Sequence, residues 1–506
     1  MGRVNMHQAQ CEPSPNRRSA LVVRIVTAGI ALGLVLLAVI DRPLLQGGAI
    51  LGWGQSGLLA AAVCIGAFCF APLSWNQNAL TVLTSVGISL VIAEFVLRAT
   101  LGPQFDTIYE RDDRVLYRLV PGTERIKVLP PINGGAVVQY KVNSQGFRGP
   151  ELAPPGESTR VLVYGDSFIH GEFSRTEDTF TEQLRGRLAR KMGKSVEVVN
   201  AGVEGYGPDQ ELRRMENELP VLQPNLVIVA IYAGNDFGDP IRDKLYRLSS
   251  DGSLQDNPSW YLDNDLETDM KRSRNEPILR KIVRAARLRL FGSTGNAFAI
   301  GHEARRARVD ADLEQGNNEY RQYVIEGDNA VHDLYQDPYS ADVSLTPTSE
   351  SARYKIAVME QIMRRMGEVA AKNNTTLVFV LIPASIDVAV EHESGEVDPV
   401  KYPEYKRSTL TDILEQICQR NGFHAVNLFD PFWQRRADDL YLKGWDDHWN
   451  PRGQAYAAEL VSEFLTAQKL VGGPSPDTRT GLLEVHPFHV AEVQRSAKTV
   501  EAHEPR

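Results

Sequence analysis

Arg160-Val161-Leu162-Val163-Tyr164-Gly165-Asp166-Ser167 is the stretch whose reading decides the fold. A short, valine-rich apolar run reads as a strand, and Gly-Asp-Ser directly after it reads as a turn. The same arrangement recurs twice. Val196 to Val199 runs into Asn200-Ala201-Gly202, and the continuous apolar run Leu226 to Tyr232 runs into Gly234-Asn235-Asp236. Helical patterns at Glu177 to Met192 and Pro208 to Glu218 separate the three strands. Strand alternating with helix predicts an α/β fold: a parallel sheet with helices on both faces, its ligands gathered beyond the carboxyl ends of the strands.

Further along, the pattern gives a helix from Ser351 to Ala371, a strand at Thr376 to Ile382, a helix from Tyr405 to Asn421 and a short strand at Ala425 to Leu428. A last helix starts at Asn450, a good N-cap, with Pro451 in the first helical position, and runs to Leu465. Asp446, Asp447 and His448 therefore sit on the loop that feeds it. Between Phe237 and about Ser349 the alternation stops, apart from one amphipathic helix, Glu276 to Leu290, with Ile278, Leu279, Ile282, Val283 and Ala286 on one side. Its Arg280, Lys281, Arg284, Arg287 and Arg289 suit a membrane surface or an anionic polymer; they equally suit the solvated face of a lid.

Ahead of the α/β pattern, Val115 to Val120 and Ala136 to Val142 have β character, and Asn143-Ser144-Gln145-Gly146 is a turn signal. Earlier still come three apolar stretches, Ala20 to Ile40, Ala49 to Leu73 and Ala79 to Leu97, each near the roughly 20 residues that cross a bilayer. Arg17, Arg18 and Arg24 crowd the first, which places the N-terminus in the cytoplasm and everything after Arg98 outside. Glu94 and Arg98, four apart, can pair. The expected organisation is a cytoplasmic tail (1–19), three transmembrane helices (20–98), a β-rich lead-in (99–159), the α/β domain (160–470) with an insertion (237–349), and a loose tail (471–506).

Composition narrows the function. The 506 residues carry a net charge of −9, which opposes binding to nucleic acid, and no nucleic-acid motif occurs. Four cysteines, Cys11, Cys64, Cys69 and Cys418, make no disulfide framework.

Ser167 is the candidate nucleophile. A serine hydroxyl is weak at neutral pH and needs a base, normally a histidine oriented by a carboxylate. His448 supplies the base, with Asp446 two residues earlier as the orienting acid and Asp447 as the alternative. His170 is a rival base, but it lies three residues from Ser167 with no paired acid. The backbone N–H groups of Ser167 and Gly202 and the Asn235 side chain would form an oxyanion hole. Each feature also has a plain reading, because Asp-Ser, Gly and Asn are common caps and turns, and a loop histidine is usually solvated.

Gly-Asp-Ser, Asn-Ala-Gly, Gly-Asn-Asp and Asp-x-His-x-Asn, in that order, resemble the SGNH hydrolase (GDSL-like) superfamily. The resemblance implies a three-layer α/β/α fold and an esterase or acyl-transfer activity without metal or cofactor. It assigns Ser167 as nucleophile, Gly202 and Asn235 to the oxyanion hole and His448 as base. Where the common pattern has Asp-x-x-His, Trp445 stands three residues before His448. The Asp-x-His form, with Asp446, is similar to that of cell-envelope members that handle O-acetyl groups on polysaccharides. The layout is also similar to bacterial inner-membrane members whose catalytic domain faces the periplasm. The leading expectation is a membrane-integrated serine esterase of acylated carbohydrate, with an O-acyltransferase using the same triad as its alternative and, from a different class, a non-catalytic envelope binding or assembly protein that keeps the fold.

Overall fold

The computed structural model describes residues 17–39, 53–105, 107–129, 133, 136–257, 275–291, 301–331, 338–389, 395–443 and 447–471. The chain divides into two compact units, Met1–Thr100 and Leu101–Arg506.

The first unit is helical: Arg17–Val39, Trp53–Ala67 and Leu73–Phe105. Among the described residues one segment, Leu73–Leu101, is long and apolar enough to cross a membrane, while Ala20–Leu36 and Leu58–Phe70 are shorter apolar helices. The second expected span is cut short because its α-helix gives way to a 3₁₀ turn at Phe68–Phe70 just before Pro72, which has no N–H to continue a helix. Thr27 Oγ1 donates to Asn76 Oδ1 at 2.8 Å, tying the first helix to the third. Glu94 and Arg98 pair at 3.0 Å, as their spacing predicts.

In the second unit the lead-in forms two antiparallel hairpins, β1 (Tyr109–Asp112) with β2 (Leu116–Leu119) and β3 (Glu124–Val128) with β4 (Val137–Lys141). The predicted turn follows, with Asn143 Oδ1 accepting the N–H groups of Gln145 and Phe147 and Gly146 at φ +86°. The central sheet comprises β5 (Thr159–Tyr164), β6 (Val196–Asn200), β7 (Leu226–Tyr232), β10 (Thr376–Ile382) and β11 (His424–Asn427), in the order β11-β10-β7-β5-β6 with every pair parallel. The chain starts in β5, steps outward to β6, then crosses back over β5 to β7. Such a reversal opens a crevice beyond the carboxyl ends of the first and third strands, where Gly165-Asp166-Ser167 and Gly234-Asn235-Asp236 lie.

Successive side chains of a strand face opposite ways, and the core divides accordingly. Leu162, Val227, Val229, Phe379 and Leu381 pack under helices Pro208–Leu222, Glu350–Lys372 and Thr409–Asn421. Val161, Val163, Ile228, Val378 and Val380 pack under Phe180–Met192 and Pro451–Ala467. This is the expected three-layer α/β/α fold. The final helix begins as its sequence predicts, with Asn450 Oδ1 accepting the N–H groups of Arg452 and Gly453.

The stretch after β7 is more ordered than its sequence suggests. It holds a short hairpin, β8 (Tyr246–Leu248) with β9 (Leu254–Asp256), and helices Ile278–Phe291 and His302–Glu319. The second of these has only Val309 and Leu313 as large apolar residues, so no apolar stripe announces it. In the first, Ile278, Leu279 and Ile282 of the expected face turn inward, together with Lys281 and Ala285, while Val283 and Ala286 are exposed. Val283 is 59% exposed and Lys281 is buried.

Candidate active site

Ser167 opens a single helical turn, Ser167–His170, at the end of β5. Asp166 caps the turn: its Oδ1 accepts the Phe168 N–H at 2.9 Å, and its Oδ2 lies 3.5 Å from Ser167 Oγ. A Cβ on Gly165 would collide with Ile169, so only glycine lets strand and turn approach this closely. Phe168, Ile169 and His170 are buried while Ser167 stays half-buried, which presents its hydroxyl at the sheet edge.

Gly202 lies directly against that turn, where a Cβ would meet the backbone of Ile169 and His170. Asn200 locks the contact. Its Nδ2 donates to Ile169 O at 2.8 Å, and its Oδ1 accepts the Gly202 N–H at 3.0 Å. The N–H expected in the oxyanion hole is therefore engaged by Asn200. His170 is also structural, with Nδ1 3.2 Å from Gly202 O, which requires the proton on Nδ1. Burial, followed by the nearby charge of Arg148, lowers its pKa to about 3. An imidazole so weakly basic is unsuited to taking a serine proton at neutral pH.

Asn235 is 6% exposed and its Oδ1 accepts no hydrogen bond from the described residues. The loop that holds it is closed by Asp236, whose Oδ2 accepts the Tyr232 N–H at 2.7 Å. Gly234 carries no side chain because a Cβ would run into the Tyr232 ring.

The base loop comes from the other end of the chain. Leu442 N–H donates to His448 O at 2.8 Å, and Tyr441 bridges Trp449, so the loop closes on itself. The His448 imidazole stacks on Phe168, the residue after Ser167, with ring centroids 5.1 Å apart, and sits at the same distance from Phe173. Its Nδ1 is 3.6 Å from Asp447 Oδ1, while Asp447 Oδ2 accepts the Tyr232 O–H at 2.7 Å. Asp446, the first choice of orienting acid, lies outside the described residues.

Four sequence-predicted positions, Ser167, Gly202, Asn235 and His448, thus lie on loops at one edge of the sheet, with Asp447 beside the imidazole. Several positioning residues escaped the sequence reading. Gln454, buried in the final helix, accepts the Phe180 N–H at 2.7 Å and donates to Phe168 O at 3.1 Å, tying the base-bearing segment to the nucleophile turn. Arg148 donates to His170 O at 2.5 Å and to Ser174 O at 2.6 Å, and Tyr232 steers Asp447. Only Gln454, a polar residue on the apolar stripe of a helix, carried a detectable signal. Among the described residues no group of three or more His, Cys, Asp or Glu side chains is arranged to hold a metal ion.

Residues 163–350 match the sequence model of the GDSL-like Lipase/Acylhydrolase family, and residues 339–503 match that of an SGNH hydrolase-like domain, acetyltransferase AlgX. No curated relative matches at significant similarity. Similar solved structures include an acetyl xylan esterase, AlAXEase (12% identity, 60% of this chain and 98% of that one, TM-score 0.30). The psychrotrophic esterase EstA from Pseudoalteromonas sp. is another (11%, 62% and 99%, 0.30), as is a two-domain esterase active on acetylated mannans (11%, 65% and 54%, 0.28). The two sequence matches overlap at 339–350, the first spanning the nucleophile turn and the second the base loop, so the chain carries an SGNH hydrolase domain of the GDSL-like lipase/acylhydrolase type.

Proposed function

We propose that this is a membrane-anchored serine esterase that removes acyl groups, O-acetyl foremost, from a carbohydrate. The observation that carries the reading is the packing of His448 on Phe168, next to Ser167, with Asp447 on its Nδ1 side. Ser167 Oγ attacks the ester carbonyl while His448 Nε2 takes its proton. The tetrahedral oxyanion draws on the Ser167 N–H and the Asn235 side chain, while the Gly202 N–H stays on Asn200 Oδ1. Collapse expels the sugar hydroxyl, protonated by His448, and leaves an acyl-serine. Water, deprotonated by the same imidazole, then releases the acid and restores Ser167. Asp447 orients the imidazole in this scheme, with Asp446 as the alternative acid.

An exposed helix as apolar as Leu73–Leu101 is unfavourable in water, which supports a lipid environment for it. The charge asymmetry around the first helix then favours a cytoplasmic N-terminus and a catalytic domain on the outer, periplasmic side of a bacterial inner membrane. A second reading, O-acyl transfer to an envelope polysaccharide, is favoured by the acetyltransferase match over residues 339–503. It uses the same acyl-serine, with a sugar hydroxyl replacing water.

A fluorophosphonate probe tests the reading directly. The detergent-solubilised chain is expected to be labelled at Ser167, and Ser167→Ala is expected to abolish labelling. A folded wild-type chain that resists the probe would instead point to a binding or assembly protein. Supplying an acceptor oligosaccharide with an activated acetyl ester separates the two enzymatic readings, because transfer deposits acetyl on the sugar and hydrolysis releases acetate.

A further inference from the structure

The lead-in carries a lysine on the inward face of a hairpin. On β4, Val138 and Tyr140 are buried while Val137, Gln139 and Lys141 are exposed. The buried face turns to the nucleophile segment, where the Tyr140 ring meets the His170 ring edge-on with centroids 5.4 Å apart. Lys127 on β3 stands opposite Val138 in the antiparallel register and so shares that face. A lysine seldom turns inward unless its ammonium finds a partner.

It finds two, adjacent in the chain. Lys127 Nζ lies 2.6 Å from Oε2 of the buried Glu172 and 3.7 Å from the centroid of the Phe173 ring. Glu172 and Phe173 follow the nucleophile turn directly, across Gly171 in the left-handed region at φ +67°. Phe173 in turn packs on the His448 imidazole, with ring centroids 5.1 Å apart. The connection between β3 and β4 reaches the base loop itself. Asn133 Nδ2 donates to Lys443 O at 3.0 Å, and its Oδ1 accepts the Lys443 N–H at 2.7 Å. This two-point bond holds the head of the loop that leads to His448.

One hairpin thus grips both the ring beside the imidazole and the loop that carries the imidazole. An apolar residue opposite Val138 would pack the same face without the cost of desolvating an ammonium and a carboxylate. We propose that the β3–β4 hairpin belongs to the catalytic machinery, with Lys127 and Asn133 as positioning residues that seat His448 beside Ser167, Lys127 through Phe173 and Asn133 through Lys443. Losing either grip lets the base drift from the nucleophile, and small displacements of a reacting group are costly in rate.

The inference rests on His448 being the base for Ser167, so one arm of its test needs no turnover. Diethyl pyrocarbonate modifies neutral imidazoles, and peptide mass spectrometry of the detergent-solubilised full chain reads the rate at each histidine. His448 is expected to react about fivefold faster in Lys127→Met and in Asn133→Ala than in wild type, because its loop opens more often. His302, whose side chain is 76% exposed, should react at an unchanged rate and serves as the internal control. With p-nitrophenyl acetate, both variants should lower kcat about tenfold with KM within about twofold of wild type. Lys127→Arg, which keeps the charge, the ion pair and the contact with the ring, should stay within about threefold. Wild-type reactivity of His448 in both variants overturns the proposal, as does an unchanged kcat in both or a Lys127→Arg chain as impaired as Lys127→Met. Should Lys127→Met fail to fold, Asn133→Ala, which alters a half-buried position between the two strands, decides the comparison. A wild-type chain that hydrolyses no ester, while His448 reacts faster in the variants, counts against the esterase reading and leaves the seating of the imidazole standing.

Discussion

The nucleophile turn and the base loop are built to different tolerances. Around Ser167, glycine at 165 and 202 brings backbone against neighbouring groups with no room for a methyl. Asn200, Arg148 and Gln454 hold the carbonyls of residues 168 to 170. The described contacts of His448 are of another kind, made largely through its ring faces. Its side chain remains 21% exposed, touches two aromatic rings, and faces Asp447 at 3.6 Å, beyond hydrogen-bond distance. The contrast fits the chemistry proposed. The nucleophile must hold one position relative to the oxyanion donors, whereas the base must serve Ser167 Oγ, a leaving hydroxyl and an incoming water in turn.

The largest effects should come from the rigid side. Ser167→Ala should reduce ester hydrolysis by on the order of 10⁴-fold or more. Asn235→Ala should cost about 10² to 10³ in kcat, roughly 3 to 4 kcal/mol of barrier. Rates from purified variants check both. An Asn235→Ala enzyme with unaltered kcat would remove that residue from the hole and leave the burden on the Ser167 N–H.

On the base side, Asp447→Asn and Asp446→Asn separate the two acids. With Asp447 as orienter, its loss should cost about 10² to 10⁴ in kcat, because the imidazole loses its preferred tautomer, and the Asp446 variant should stay near wild type. Tyr232→Phe should reproduce a fraction of the Asp447 effect, since its O–H holds that carboxylate. The reverse ranking of the two aspartates would hand the role to Asp446.

Much of this architecture was legible in the sequence, for physical reasons. Leu226–Tyr232 and Thr376–Ile382 carry the expected boundaries because a strand buried on both faces must be apolar throughout, which leaves an unbroken run. Site residues at strand ends were visible for the same reason. Contacts between distant segments were hidden: nothing in the order of residues shows that Arg148 reaches His170 O, that Tyr232 reaches Asp447, or that Asn200 engages the Gly202 N–H. Helix His302–Glu319 was missed because it has almost no apolar stripe, and the inward face of Ile278–Phe291 was only partly foreseen because it includes the buried Lys281.

The smallest effect tests the rigid side through pH. His170 donates from Nδ1 to Gly202 O and holds a folded-state pKa of about 3, below its ordinary 6.5. Between these values the unfolded chain takes up a proton that the folded chain refuses. Stability therefore falls as pH drops from 6.5 towards 3, by at most about 1.4 kcal/mol per pH unit, and this contribution is constant above 6.5. His170→Asn places an amide donor near the Nδ1 position and removes the titration. Urea unfolding of the full chain in detergent at pH 7 and pH 4 should show a smaller acid loss in the variant than in wild type. Equal losses would mean that the imidazole is charged or exposed in the native state, and that the nucleophile turn is looser than its contacts imply.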